Sequence, residues 1–139
     1  MRIRQLSDQT VESADPNTFT GHATLTRMNG LSDDPSINAY RVQFQPCART
    51  DWHTHSGPQL LVILEGVCRV QREEEPAVEV GVGDVVCVKP GERHWHGAGK
   101  DGPMTHLAIN IASTTSWLEK VTDEEYGAYA RRLPDQPVR

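Results

Sequence analysis

Short apolar runs separated by turn residues fill the chain between about residues 19 and 112. The runs carry many β-branched and aromatic side chains, and Gly, Pro, Asn and Asp residues lie between them. This pattern predicts short strands, and many short strands at such spacing predict a sandwich or a barrel. The predicted strands are Phe19–Arg27, Ala39–Gln45, Leu60–Leu64, Val67–Gln71, Ala77–Val80, Asp84–Val88 and Met104–Ile111.

The C-terminal part shows helical periodicity instead. Thr122-Asp-Glu-Glu125 is a capping box, in which the Thr122 side chain accepts from a first-turn amide and Glu125 reaches back. The apolar residues that then share a helical face are Tyr126, Tyr129, Ala130 and Leu133. Pro134 prevents continuation. We therefore expect one short helix at about residues 122–133, with its aromatic stripe packed on the strands.

Length and composition predict one modest core and therefore a single domain, residues 1–139, because 37% of the 139 residues are hydrophobic. The net charge of −5 and the pI near 5.6 argue against nucleic-acid and membrane partners. No apolar run approaches the roughly 20 residues of a spanning helix. The three cysteines form no C-x-x-C pair, which fits a reducing compartment. We expect a cytoplasmic protein that binds a small molecule.

Two pairs of histidines with a spacing of two carry the candidate chemistry. They are His53-x-His55 and His94-x-His96. On a strand, residues i and i+2 face the same way, about 6 to 7 Å apart, so both imidazoles can approach one point. Gln59 follows a Gly-Pro turn that would return its side-chain oxygen to that point. His53, His55 and His94 would then add three nitrogens to one oxygen around a divalent metal, although a single pair of this kind more often lies on an outward polar face.

Tryptophans alternate with these histidines and bear on which way they face. Trp52 and Trp95 each adjoin a histidine, so the two residue types point to opposite sides of their strands. If the tryptophans are buried between sheets or subunits, the histidines face the barrel interior. Buried neutral imidazoles without a metal would leave polar groups unsatisfied. Two such pairs in one chain therefore favour an internal metal site.

The residues around both pairs resemble the cupin superfamily, whose motifs are G-x5-H-x-H-x3-E-x6-G and G-x5-P-x-G-x2-H-x3-N. The matches at motif spacing are His53, His55, Gly66, Gly83, Gly91 and His94. The chain departs from the motifs at Cys47, Gln59, Pro90 and Ala98. The resemblance implies an all-β fold, a single small jelly-roll β-barrel over about residues 19–112 with an internal metal.

Almost the whole chain resembles a narrower group, the small bacterial manganese cupins that act as (R)-selective hydroxynitrile lyases. The matching stretches include Phe19-Thr-Gly21, Trp52-His-Thr-His55, Gly83-Asp-Val-Val86, His94-Trp-His-Gly-Ala98 and Met104-Thr-His-Leu-Ala-Ile109. This resemblance implies one divalent metal, manganese before iron, nickel or zinc. Its implied ligands are His53, His55, Gln59 and His94. It also implies that Thr50, His96 and His106 line the reaction pocket, and that Asn110, which stands where those enzymes carry glutamine, contacts substrate.

The ligand set suggests Lewis-acid chemistry rather than redox chemistry. Three neutral imidazoles and a neutral amide leave the full charge on a divalent ion, and no anionic ligand supports a higher oxidation state. His96 lies two residues beyond a ligand, which is the geometry of a general base. We expect a lyase that cleaves a cyanohydrin or a related 2-hydroxy compound to an aldehyde, with His106 and Thr50 stabilising the departing anion. The alternatives are a cupin dioxygenase and a non-catalytic metal-binding cupin that senses a small ligand.

Strand alternation suggests the pocket walls and an assembly. Tyr40, Val42 and Phe44 share a face and could form an apolar wall, although core packing explains them equally well. His106 and Asn110 share a face of the last strand, which could be inward or outward. The opposite face carries Leu107, Ile109 and Ile111. Together with Trp52 and Trp95, that is too much apolar surface for solvent, so we expect a homo-oligomer, a dimer or a tetramer.

Overall fold

The computed structural model of the protein describes residues 1–133, which form two β-sheets and one short helix. The helix, α1, is Asp123–Gly127, and a 3-10 turn covers Leu6–Asp8. The strands are Val11–Ser13 (β1), Phe19–Thr20 (β2), Ala23–Asp33 (β3), Ser36–Phe44 (β4), Arg49–Thr50 (β5), His53–His55 (β6), Gln59–Glu65 (β7), Cys68–Arg72 (β8), Ala77–Val80 (β9), Val85–Val88 (β10), His94–Ala98 (β11), Met104–Ile111 (β12), Thr115–Trp117 (β13) and Ala130–Arg132 (β14).

The strands build a small jelly-roll barrel, as the sequence predicts. One sheet has the order β1-β3-β4-β12-β7-β10, and the other runs β13-β6-β11-β8-β9-β14, with β5 paired to β11 and β2 to β5. The strands pair antiparallel except β14, which lies parallel to β9. Within residues 1–133, no helix is long and apolar enough to cross a membrane.

Most predicted strands are confirmed, and two of them, Ala77–Val80 and Met104–Ile111, have the predicted bounds. The predicted strand Phe19–Arg27 is divided in two at Gly21, which has a positive φ of 81°. A Cβ at Gly21 would lie 2.9 Å from the Cα of Ala48. The chain therefore bends there, because only glycine combines that backbone conformation with so close an approach.

The C-terminal prediction is correct at its start and wrong at its end. Thr122 Oγ1 accepts from the Glu125 amide and the Glu125 carboxylate accepts from the Thr122 amide, so the capping box is confirmed. The helix ends at Gly127, however, and residues 130–132 add a parallel strand to the edge of β9. A sheet edge offers unpaired backbone groups, and pairing with them replaces the last predicted helical turns. Pro134 lies outside the described residues.

The same segment covers the outward-facing tryptophans. Trp52 and Trp95 are buried in a cluster with Val121 and Tyr126, all within one chain. The guanidinium groups of Arg49 and Arg69 lie 4.7 and 4.9 Å from the centroid of the Tyr126 ring. The two tryptophans therefore need no second subunit, and the expectation of an oligomer no longer rests on them.

An apolar row remains on the outer face of the first sheet. Strand register places Leu107 beside Val62, and Val62 beside Val85. Leu64 and Val85 are 40% and 59% exposed. Because a contiguous apolar row of this kind usually meets another surface, we propose that two copies of the chain pair through this face.

Light scattering tests this pairing. A solution mass of at least twice 15.5 kDa is expected for the full chain. Val85→Asp should lower that mass while the circular dichroism spectrum stays unchanged, because a charge placed in the apolar row opposes pairing. Val11→Asp, at an exposed position on the far edge strand, should leave the mass as it was. A monomeric natural chain would refute the proposed interface.

Substitutions at Tyr126 measure how much the C-terminal segment stabilises the fold. Tyr126→Phe removes one hydrogen bond, 2.7 Å long, to the Ala98 carbonyl and should lower the free energy of unfolding by about 1 kcal/mol. Tyr126→Ala also uncovers Trp95 and should cost about 3 kcal/mol or more in urea unfolding. Tyr129→Ala is the control, because that ring is 78% exposed and its loss should change stability by less than about 0.5 kcal/mol. Equal losses at the two tyrosines would contradict this packing.

Candidate metal centre and cavity

The two histidine pairs lie on neighbouring strands of the second sheet. His53 on β6 pairs directly with His94 on β11, and both side chains point between the sheets. The chain then crosses to the first sheet at Gly57, where a Cβ would come within 2.2 Å of the Ile111 carbonyl oxygen. This close approach, which only glycine permits, lets Gln59 begin β7 on the opposite wall of the barrel.

The predicted ligand residues come together around one point. The ring centroid of His53 is 4.2 Å from that of His94 and 4.9 Å from that of His55. Gln59 Oε1 lies 3.2 Å from His94 Nε2. All four side chains are buried. The arrangement therefore joins three imidazoles and one amide oxygen from three separate strands.

Hydrogen bonds fix which imidazole nitrogen faces the centre. His53 Nδ1 is 2.8 Å from the Asp51 carbonyl oxygen, and His94 Nδ1 is 2.9 Å from that of Glu92. A carbonyl only accepts, so each Nδ1 carries the proton and each Nε2 carries a lone pair. His55 Nδ1 contacts the Thr115 hydroxyl at 2.9 Å. This is the outer-shell pattern of metal-ligating histidines.

The free donor atoms fit a cation. His94 Nε2 and Gln59 Oε1 face each other with lone pairs and no proton between them. His55 Nε2 is buried without a hydrogen-bond partner in residues 1–133. Burial, and then the neighbouring His94, lower the pKa of His55 to about 4, and burial lowers the pKa of His53 and His94 as well. The imidazoles are therefore neutral at pH 7, which is the form that binds a metal.

His96 lies closer to the centre than the sequence suggests. Ligand-capable atoms of His53, His94 and His96 all lie within 4.8 Å of one another. Sequence reasoning assigned His96 as a base displaced from the metal. The geometry admits it as a further ligand, and the variants described below separate the two roles.

A second imidazole pair adjoins the centre. His96 Nδ1 is 2.9 Å from His106 Nε2, and both rings are buried. His106 therefore faces inward, which answers the question that strand alternation left open. His96 Nε2 and His106 Nδ1 have no partner among the described residues. The Thr50 hydroxyl accepts from the His96 amide at 3.2 Å, so its own proton is free for another acceptor.

These groups line a cavity of about 290 Å³ between the sheets. Of the predicted wall residues, Tyr40, Val42 and Asn110 line it. Phe44 is buried instead behind the imidazole pair, with its ring centroid 5.1 Å from His106. Its place in the core, rather than in the wall, follows from its position at the end of β4, beside Met104 on β12.

Sequence reasoning missed part of the cavity mouth. Trp117 lies on β13, its ring 4.6 Å from that of His53, and it is 43% exposed. Phe19, Leu25 and Arg27 also line the cavity. Leu25 and Arg27 could have been inferred from their pairing with Val42 and Tyr40. The three-residue strand that carries Trp117 has no apolar alternation from which to infer it.

Comparisons with known proteins agree with this fold. The chain matches the family model of the cupin domain over residues 40–110. It is 38% identical over 129 residues to an (R)-mandelonitrile lyase from Granulicella tundricola, covering 91% of this chain and 98% of that protein. A solved structure of a cupin-like protein from Thermotoga maritima is 34% identical with a TM-score of 0.78, covering 82% of this chain and 89% of the other. A polyketide cyclase from Streptomyces resistomycificus shares the fold alone, at 16% identity and a TM-score of 0.63, covering 91% and 90%.

Acid should destabilise the metal-free protein through these buried imidazoles. Burial lowers the pKa of His106 from the usual 6.5 to about 4. As pH falls from about 6.5 to about 4, the unfolded chain gains a proton that the folded chain does not, so the free energy of unfolding decreases. We compare the free energy of urea unfolding at neutral pH and at pH 4.5, both in chelator. The decrease should be about 2 kcal/mol smaller for His106→Gln than for the natural chain. His22→Gln, at an exposed histidine, is the control, and equal acid dependence in all three proteins would contradict a buried neutral His106.

Proposed function

The chain belongs to the cupin family, and from that premise we propose that it is a metal-dependent lyase. Its substrate would be a cyanohydrin or a related 2-hydroxy compound, cleaved to an aldehyde and a small carbon leaving group. One observation carries the proposal: three of the candidate ligands, His53, His55 and Gln59, line the same small cavity as an imidazole pair that has unpartnered nitrogens. The name of the Granulicella relative, a mandelonitrile lyase, supports the choice of substrate.

We propose His53, His55, Gln59 and His94 as the ligands of one divalent ion. The donors carry no charge of their own at pH 7, so they would leave the ion its full charge. Manganese is the metal that the resemblance favours, while imidazole ligands also suit iron, nickel and zinc. When bound, the ion would supply Lewis-acid stabilisation of the negative charge that develops on the substrate hydroxyl oxygen.

The proton chemistry falls to His96 and His106. When the shared proton lies on His96 Nδ1, His96 Nε2 has a lone pair and can take the proton of the substrate hydroxyl. The Nδ1 proton can then pass to His106 Nε2, which spreads the positive charge over two rings. Burial lowers the pKa of both imidazoles, so both are neutral at pH 7 and each has a nitrogen with a lone pair.

Cleavage of the carbon–carbon bond then moves the negative charge from the substrate oxygen to cyanide. The hydroxyl oxygen forms the carbonyl of the aldehyde, and the bond to the nitrile carbon breaks with its electron pair leaving on cyanide. The Thr50 hydroxyl can donate a hydrogen bond to the departing anion, because its oxygen accepts from the His96 amide and its O–H remains available. Cyanide finally takes a proton from the imidazole pair, which returns the pair to its neutral form.

The cavity walls favour a small substrate with an apolar group. A volume of about 290 Å³ lies at the lower end of ligand pockets. Trp117, Phe19 and Val42 supply apolar surface to this cavity. An aryl or short aliphatic group on the hydroxyl carbon would lie against these side chains.

We also propose that the protein is cytoplasmic. Its three cysteines, Cys47, Cys68 and Cys87, are all free thiols in the structure. Unpaired cysteines are the usual state in a reducing compartment.

Release of benzaldehyde from mandelonitrile by the manganese-loaded protein tests the function. Chelation should abolish it. His53→Ala should lose the metal and the activity together, whereas His96→Ala should keep the metal and lose about 10²–10⁴-fold in kcat/KM, the usual contribution of a general base. His22→Ala, an imidazole outside the cavity, is the matched control.

Other results would refute the lyase or favour a different function. A rate equal to buffer with or without metal would refute the lyase. Oxygen uptake by the iron-loaded protein would instead indicate a dioxygenase, and a melting shift with small carboxylates or sugars but no turnover would indicate a binding protein. Loss of metal from His96→Ala would show that His96 is a ligand and not the base.

A further inference from the structure

Gln59 and Asn110 lie side by side on adjacent strands of the first sheet. They are register partners on β7 and β12. Gln59 Nε2 donates to Asn110 Oδ1 at 2.8 Å, and this leaves Gln59 Oε1 directed at the metal centre, 3.2 Å from His94 Nε2. This hydrogen bond holds the Gln59 amide with its oxygen toward the centre.

The orientation matters because the two ends of an amide have nearly the same shape and opposite chemistry. The oxygen can bind a cation, whereas the NH₂ group only donates protons and would repel one. If the Gln59 NH₂ group had no partner, rotation of the amide by half a turn would be favourable. The NH₂ group would then donate a hydrogen bond to the lone pair of His94 Nε2. That turned state has no amide oxygen facing the centre and must be reversed before a metal can bind.

We propose that Asn110 is a positioning residue for the Gln59 amide and thereby sets the metal affinity, rather than serving chiefly as a substrate contact. The inference rests on the metal site of the proposed function. Asn110 holds the oxygen toward the centre before the metal arrives, so the ion does not have to reverse a hydrogen bond between Gln59 and His94. Loss of an outer-shell partner of this kind typically costs about 10–100-fold in metal affinity.

Manganese titration of the full chain, followed by the electron paramagnetic resonance signal of free Mn²⁺, measures this effect without any substrate. Asn110→Leu should raise the dissociation constant about 10–100-fold. Asn110→Asp should keep or lower it, because a carboxylate still accepts from the Gln59 NH₂ group. Asn29→Leu, the same change at an exposed position on β3, should leave it unchanged, and circular dichroism should show that all three variants fold.

A double-substitution cycle separates orientation from general damage to the site. In a Gln59→Glu background both ends of the side chain are oxygens, so metal binding no longer requires the side chain to be rotated into one orientation. Asn110→Leu should then change the dissociation constant by less than about threefold, whereas a packing defect would persist in either background. Gln59→Glu alone should tighten Mn²⁺ binding by adding an anion.

The outcomes distinguish this inference from the proposed function. The expected order of affinities with no turnover of mandelonitrile would support the role of Asn110 and refute the lyase. Turnover with an Asn110→Leu dissociation constant within twofold of the natural chain, together with a raised KM, would overturn the inference and return Asn110 to substrate binding. A natural chain that binds neither Mn²⁺ nor Fe²⁺, Ni²⁺ or Zn²⁺ would overturn both.

Discussion

The candidate metal centre depends on hydrogen bonds from imidazole Nδ1 atoms to backbone carbonyls at the start of two strands. His53 contacts the carbonyl of Asp51 and His94 that of Glu92, in each case two residues earlier in the chain. Because these bonds are local, each strand sets the tautomer of its own first histidine. The lone pairs then meet when β6 and β11 pair, since His53 and His94 are direct register partners.

Because the histidines face inward, the neighbouring tryptophans face the other side of their strands. The C-terminal segment covers these tryptophans with Val121 and Tyr126. It connects to the site through Asp51, whose carbonyl orients His53 while its carboxylate binds Lys120 Nζ at 3.0 Å. Arg49 adds hydrogen bonds of 2.8 Å to the Val121 carbonyl and to Asp123. The segment that covers Trp52 and Trp95 is thus attached to the residues that precede the first ligand.

The cavity has three regions with different physical roles. Around the candidate metal centre, buried side chains present lone pairs that a cation would satisfy. Around His96 and His106, Phe44 and the surrounding core exclude water, and this burial keeps both imidazoles neutral. Toward the mouth, Trp117 gives an apolar surface beside the imidazoles. The proposed function would use all of these groups in one cavity. The candidate ligands would stabilise developing charge, the imidazole pair would transfer the proton, and the mouth would contact an apolar substrate group.

Local patterns in the sequence determined much of this protein. Spacings of two placed the histidines on one face of their strands, and a spacing of three identified the capping box at Thr122. The tertiary structure alone decided where distant segments meet: the helix ends early because β9 offers an edge to residues 130–132. It also placed Trp117 over His53 and joined Asn110 to Gln59. These contacts join residues more than fifty positions apart, and strand alternation fixes the face of a side chain but not the partner that it meets there.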